Sequence, residues 1–418
     1  MRLSSLVNLS WQAVKAQPVR TVLTMLGITW GVASFVILIA YGTGMQKALY
    51  VGLSYFGDNV VVVQNGQTSL QAGGQRAGRP VRMEKSDVEA VRAEVPLIKR
   101  ISGEVFRRYK VEYLQRRTTA GIRGVEGCYG EVRGMFMATG RFLSDEENLQ
   151  MARVAVLGDE IRERLFSSIP AVGREIKVNG IRFTVIGVLR KKIAISNYYS
   201  PDDMCIMVPL NTMALFTDTR YLSNLVYQPV SPAMEEQARR QFRAVMGRLH
   251  GFDPADDKAL TGWSYSQVKE IIDGITGATK ATMVFVGFIT LCIGGIGVMN
   301  IMLASVKSRI REIGTVMAIG AKRRHVLLQF LFETLILTSA GGILGYLAAL
   351  GAAHLIGGIP FLGVIFEDTS GQGDITLVVG GGAFVTAFVV LAGVSLFFGL
   401  WPARQAARQE PVEALRYE

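Results

Sequence analysis

The 418 residues carry 45 Lys and Arg against 34 Asp and Glu, a formal charge of +11, yet half are hydrophobic and mean hydropathy is +0.30. The apolar residues collect in four long runs, and a stretch of ordinary polar composition separates the first two, which excludes a plain soluble globule. Three cysteines with no CxxC or Cys/His spacing argue against a zinc site.

Residues 1–20 read as a cytoplasmic amphipathic N-terminus: LSSLVNLSWQAVKAQ spaces its apolar side chains at helical intervals and offers Trp11 as an interfacial anchor. Residues 21–41 are uncharged and form the first span, since a bilayer core needs about 20 apolar residues in a helix. The polar region 42–280 follows. In it residues 59–64 (NVVVVQ) predict a strand, and Lys85–Glu94 a helix with Ser86 as N-cap and Glu89 completing a capping box. Residues 97–103 predict a strand. The same strand-helix-strand order recurs at 224–230, 232–249 and 260–265, which suggests a split α+β part assembled from both ends. Between them, 105–220 reads mainly as β, with a short helix at Asp159–Phe166 and an Asn179-Gly180 hairpin turn inside 178–189. Residues 66–80, rich in Gly and Gln without periodicity, read as a mobile loop.

The second, third and fourth spans are 281–306, 326–358 and 375–400, with Pro402 placed to break the last. A loop at 307–325 joins the second and third, a short external loop at 359–374 joins the third and fourth, and 401–418 is a tail. Orientation follows from charge. Residues 1–20 hold Arg2, Lys15 and Arg20 without an acid, and the 307–325 loop is strongly basic. The 359–374 loop holds only Glu367, Asp368 and Asp374. Positive-inside bias puts both termini and the 307–325 loop in the cytoplasm and 42–280 outside. The external region has 33 basic and 26 acidic residues, but long domains cross largely regardless of charge. The basic balance therefore reads as topology and anionic lipid, with no nucleic-acid partner.

No GxSxG, HExxH or clustered metal ligands appear, so no catalytic or metal site is expected. Asp202-Asp203 and Asp256-Asp257 read as solvated loop acids, and Cys128 and Cys205 either pair outside the cell or stay free. The 307–321 segment puts Ile310, Ile313, Met317 and Val316 on one helical stripe, with Arg309, Arg311 and Glu312 around it and Gly320 as C-cap. Such a helix suits either a groove in a soluble partner or anionic lipid. Glu333 is an ionisable residue within a span, expected in an ion pair with the loop. Gly27, Gly31, Gly294, Gly295, Gly341 and Gly345 are small residues that allow close helix approach, either within the chain or between two copies.

Five strings resemble the permease subunit of MacB-type ABC transporters, the type VII or mechanotransmission class of the FtsX-like superfamily. They are 20–34 (RTVLTMLGITWGVAS), 152–166 (ARVAVLGDEIRERLF), 172–189 (VGREIKVNGIRFTVIGVL), 293–333 (IGGIGVMNIMLASVKSRIREIGTVMAIGAKRRHVLLQFLFE) and 402–418 (PARQAARQEPVEALRYE), in family order. The resemblance implies a four-span inner-membrane protein acting as a homodimer, its glycines packing the dimer. It also implies an external domain divided into a porter part (42–104 and 221–280) and a sabre part (105–220). It implies cytoplasmic ABC ATPase subunits seated on Arg309, Arg311, Glu312, Gly314, Met317, Ala318 and Gly320, and, in tripartite members, a periplasmic adaptor and an outer-membrane channel. No GxxxxGK[ST] phosphate cradle occurs in the chain, so ATP and Mg are expected on a separate ATPase. The function implied is efflux driven by movement of the external domain. An FtsX-like regulator that activates an external hydrolase, or a lipoprotein-releasing permease, shares the four-span plan.

Overall fold

The computed structural model describes residues 18–57, 59–71, 76–192, 198–366 and 371–408. The expected interfacial stretch around Trp11, Glu367 and Asp368 of the expected external loop, residues 72–75 of the expected mobile loop, and the tail from 409 onward lie outside the described residues. The chain divides into two units, one of residues 1–47, 274–359 and 374–418, the other of 48–273 and 360–373.

Four helices are long and apolar enough to cross a membrane among the described residues. They are α1 (Pro18–Ser54), α7 (Tyr265–Ser308), α9 (Arg323–Ile356) and α11 (Gly381–Ala407). The first unit packs these helices through glycines. A Cβ at Gly31 would meet Leu291, one at Gly341 would meet Ile28, and one at Gly345 would fall 2.6 Å from the Thr29 carbonyl oxygen. Gly294 faces the Gly27 carbonyl, and Gly295 faces Phe398 and Val394. Thr29 Oγ1 donates to the Gly341 carbonyl at 3.2 Å, a further link between α1 and α9. Five of the six glycines expected at a dimer seam are therefore taken up by contacts within the chain, where helices in lipid gain most from close backbone approach.

Two expected boundaries shift. Ile375–Thr376 is not helical but pairs antiparallel with Gly358–Ile359, so α11 starts at Gly381. Pro402 does not break that helix: it is buried inside it, and the helix continues through Ala403 and Ala406 against the same core. Tertiary packing there outweighs the lost backbone donor.

The second unit holds a ten-stranded sheet. Its first strands are β1 (Val61–Asn65), β2 (Ile98–Tyr113), β3 (Arg116–Val125), β4 (Met137–Gly140) and β5 (Val154–Leu157). They are followed by β6 (Glu175–Val178), β7 (Ile181–Leu189), β8 (Cys205–Pro209), β9 (Asn224–Pro229) and β10 (Leu260–Ser264). The order is β10-β1-β9-β2-β3-β8-β5-β7-β4, with β6 on β2 and β7. Helices α2 (Lys85–Glu94) and α6 (Glu235–His250) complete two strand-helix-strand units, β1-α2-β2 and β9-α6-β10. Their strands interleave in an all-antiparallel β10-β1-β9-β2 block. Val88 and Val91 of α2 share one core with Phe242, Val245 and Met246 of α6 and with Leu225 and Tyr227 beneath them.

The sheet does not divide at residue 104. Strand β2 crosses that point without interruption, pairing β9 through Ile98–Glu104 and β3 from Glu104 to Tyr113. At about 3.3 Å per residue its 16 residues span roughly 50 Å and bind both halves into one sheet. Further short helices of this unit are α3 (Tyr129–Val132), α4 (Asp145–Leu149), α5 (Asp159–Phe166) and α10 (Leu362–Phe366). The cap of α2 is Glu84 rather than Ser86, and its own amide donates to Asp87 Oδ2 at 2.7 Å. Asn179 and Gly180, with φ of +47° and +84°, form the primed turn that a tight hairpin requires.

The described ends of the 66–80 loop are tied down. The Gln67–Pro80 bridge closes its base, and Asp256, 1 % exposed, accepts from the amides of Ser69 and Leu70 and from Ser69 Oγ. Burial opposes ionisation of Asp256, and these hydrogen bonds overcome it and hold the carboxyl at about 2. Asp256 is thus a buried anchor, while Asp257 stays exposed.

Candidate coupling element and a buried charge cluster

The 307–325 loop folds as α8 (Ile310–Ala318), with Arg309 at its N-cap. Gly320 takes φ +105°, its amide donates to Met317 O and the Ala321 amide to Val316 O, which closes the helix as expected of a C-cap glycine. Ile313 and Met317 are buried with Val326 and Phe330 of α9, and Gly314 is buried beside them. Val316 does not join that stripe. It is 50 % exposed, and Ile319 just beyond the helix is 82 % exposed. Over a helix this short, Gly314 turns inward where Val316 was expected, leaving Val316 and Ile319 as outward apolar groups beside exposed Arg311, Glu312 and Ala318. Arg309 Nε lies 3.1 Å from Glu312 and its Nη1 lies 3.8 Å from Glu333, which is 5 % exposed in α9. This arginine therefore spans the start of α8 and a carboxylate inside the helix bundle.

The second unit contains a group of buried charges that residue spacing did not reveal. Asp202, in a short 3-10 turn, is 2 % exposed, so it is not a solvated loop acid. Lys192 Nζ lies 2.7 Å from it, Arg123 Nη1 3.3 Å and Arg133 Nη2 3.4 Å. Arg123 also faces Glu104 at 3.4 Å and donates to the carbonyls of Tyr198 and Ser200. Tyr198 Oη donates to Glu104 at 2.6 Å. Burial alone would raise the Asp202 carboxyl, but Lys192, Arg123 and Arg133 pull it well below the usual carboxylate range. Burial lowers Lys192, and burial together with the adjacent Asp202 charge pushes Asp203 up to about 7.

The cluster reaches the exit of α1. Arg133 Nη1 donates to Phe56 O at 3.0 Å, and Lys192 Nζ donates to Tyr55 O at 3.3 Å. The side chains of Leu53 and Phe56 are buried in the neighbouring core, so charge and packing together fix the chain where it leaves the helix. Within the same unit Tyr50 Oη donates to Asp273 of α7, whose other oxygen pairs with Lys269 at 3.1 Å.

Cys128 and Cys205 are free thiols, the second fully buried, and burial pushes Cys128 up to about 11. His250 ends α6 with Nε2 2.7 Å from Asp87 Oδ2, a structural contact between the two helices of the interleaved block. Among the described residues no three His, Cys, Asp or Glu side chains could share a metal ion.

Comparison with known families decides the assignment. A MacB-like periplasmic core domain matches residues 21–245, and an FtsX-like permease C-terminal domain matches 284–411. The chain belongs to the MacB-type, FtsX-like ABC transporter permeases. It is a multi-pass membrane protein whose large α+β domain is extracytoplasmic. A macrolide export ATP-binding/permease protein MacB of Chlorobaculum tepidum is 33 % identical over all of this chain and 62 % of its own length. One of Bdellovibrio bacteriovorus is 31 % identical over 98 % of the chain and 61 % of its own. The chain thus spans about three fifths of the length of these MacB relatives. The ABC transporter permease YknZ of Bacillus subtilis is 30 % identical over the whole of both chains. Among solved structures, the periplasmic region of MacB from Actinobacillus actinomycetemcomitans matches 53 % of this chain and 95 % of that one at 18 % identity, with a TM-score of 0.42.

Proposed function

We propose that the chain is the permease of an ABC export complex. It acts as a homodimer with an ABC-type ATPase, which holds the ATP and Mg for which these residues supply no cradle. ATP-driven movement of that ATPase passes through α8 and the spans to the external domain, whose motion drives efflux together with a periplasmic adaptor and an outer-membrane channel. The complex sits in the inner membrane with α8 and both termini in the cytoplasm, as the basic short loops require. The permease itself carries no catalysis.

The observation that carries the reading is the two-sided character of α8. Ile313 and Met317 seat it on the α9 core and Arg309 ties its start toward Glu333, while Val316 and Ile319 stay outward. A short helix fixed on one face and apolar on the other suits a groove in a soluble partner. The names of the MacB relatives, which join ATP binding and permease function, point the same way. Val316→Asp combined with Ile319→Asp leaves folding and insertion intact and weakens binding of the cognate ATPase, with its stimulation, at least tenfold. Unchanged binding and stimulation would remove α8 from this role.

A further inference from the structure

The segment between α9 and α11 contains PFLGVIF at 360–366, an uncharged apolar run ahead of a polar stretch with Glu367, Asp368 and Asp374. It folds as α10 in the same unit as the ten-stranded sheet, and the Leu362 amide donates to Gly373 O at 3.1 Å, which closes the loop. The helix has two sides. Leu362 is 3 % exposed and Gly363 is buried. Val364 and Ile365 are 71 % and 65 % exposed. Outward apolar side chains of this kind mark a protein partner or a membrane.

Three observations select the membrane. The first is reach. Leu362 follows the last residue of α9, Ile356, by six residues, which extend over at most about 20 Å. Leu355 and Ile356 are themselves 87 % and 50 % exposed, as lipid-facing side chains of a span are, so α10 is leashed close to the level where hydrocarbon ends. The second is size. A stable protein interface buries about 800 Å² on each partner, far more than two side chains offer, and the run is too short to cross the bilayer. The third is charge. No Lys or Arg occurs from 357 to 380, so the loop has no cation for an acidic protein or an anionic headgroup.

We propose that α10 is a membrane foot of the external domain, with Val364 and Ile365 seated in the boundary between headgroups and acyl chains of the outer leaflet. The foot is joined to the base of that domain. Tyr55 Oη donates to Gln372 Oε1 at 2.5 Å, and the Tyr55 carbonyl accepts from Lys192 of the buried charge cluster. The loop thus ties the exit of α1 to the lipid surface at a point apart from α1 and α7. Insertion rests on apolar contact, so lipid charge and salt leave it unchanged. It goes beyond the export reading and does not depend on docking at α8.

Spin labels at Val364→Cys and, separately, Ile365→Cys test this in the full chain reconstituted in phosphatidylcholine vesicles. Cys128→Ala and Cys292→Ala remove the partly exposed thiols, and the buried Cys205 stays. A label at Leu114→Cys, in the turn between β2 and β3 where the side chain is 84 % exposed, is the aqueous control. Power saturation measures collision with dioxygen, which concentrates in lipid, and with a water-soluble nickel chelate. The ratio of dioxygen to nickel collision is about threefold or more higher at 364 and 365 than at 114, and vesicles containing phosphatidylglycerol give the same value. Should the chain with fewer cysteines not fold, the fluorine resonance added by Val364→Trp, in chain labelled with 5-fluorotryptophan, is relaxed by dioxygen more strongly than by a gadolinium chelate. Labels at 364 and 365 that meet the nickel chelate as freely as the one at 114 place α10 in water. Labels shielded from both reagents place a protein surface on it, and a ratio that rises with anionic lipid makes the contact electrostatic. Each of these results overturns the proposal.

Discussion

Asp202→Asn probes the buried cluster most directly. In the folded protein Arg123, Arg133 and Lys192 face the carboxylates of Glu104 and Asp202, all in side chains at most 4 % exposed. The substitution keeps the shape and removes one negative charge, leaving three cations against one. Removing one partner of a buried ion pair costs about 3–5 kcal/mol, because the remaining charge stays buried without compensation. Lys192→Met is the contrast. It leaves two cations facing two carboxylates and removes the member that burial already disfavours in its charged form. Its cost is the loss of donors to Tyr55 O and Arg133 O, about 1–3 kcal/mol. Cutting the exposed Arg141–Glu147 pair, by comparison, costs under about 1 kcal/mol. Urea titrations of the full chain in detergent, read by protease cleavage within 59–264, give the midpoints at pH 7. The expected order is Asp202→Asn well below Lys192→Met, with Arg141→Ala close to the parent. If Lys192→Met costs more than Asp202→Asn, or if Asp202→Asn costs under about 1 kcal/mol, charge balance does not hold this cluster together.

Asp203 gives a pH dependence of opposite sign to the usual acidic group. Its folded pKa, about 7, lies above the ordinary value, so between about pH 4 and pH 7 the folded chain keeps a proton that the unfolded chain has lost. Its contribution is therefore present at low pH and lost as pH rises through that window, on the order of 2–4 kcal/mol in all. Asp203→Asn should match the parent near pH 4 and exceed it in stability at pH 8, measured by the same urea titration, and a variant no more stable at pH 8 would contradict the assignment. In the membrane unit, Gly345→Leu drives its Cβ into the Thr29 carbonyl and Val32, whereas a Cβ at Gly351, as in Gly351→Leu, meets nothing within 4 Å. The first should lower the melting temperature and the folded yield in size-exclusion chromatography, as overpacking costs about 1–3 kcal/mol, and the second should not. Equal behaviour of the two would show that α1 and α9 do not pack through Gly345.

The parts of the fold that the sequence announced are those fixed over a few residues. Asn179-Gly180 reads as a hairpin because only a few residues tolerate positive φ at both turn positions. The helix Asp159–Phe166 and the apolar runs are equally local signals. The structure departs by two residues where two local solutions compete: Glu84 with Asp87 caps α2 instead of Ser86 with Glu89, and Gly314 takes the inward position expected of Val316. The last helix continues past Pro402 because the packing of Ala403 and Ala406 outweighs the proline's own backbone preference.

The buried charges fail to show for a different reason. The partners of Asp202 come from positions 123, 133 and 192: the pairing of β3 with β8 brings Arg123 near, Arg133 follows α3, and Lys192 follows β7. A one-dimensional pattern that asks whether an acid is near a cation in sequence cannot find them. One local signal did exist. Arg123 stands inside AGIRGV, a run otherwise of small and apolar residues, where an unpaired arginine would be expensive to bury. An isolated cation within an apolar strand implies a distant anion, and the only question left open is which acid in the chain supplies it. The same reasoning, applied to Glu333 within its apolar helix, points to Arg309, because both helix ends and loops in a membrane protein must satisfy buried charges from nearby polar segments. Reading each misplaced charge as a demand for a partner, and not as an exception to hydropathy, therefore turns the least informative residues of such a sequence into long-range contacts.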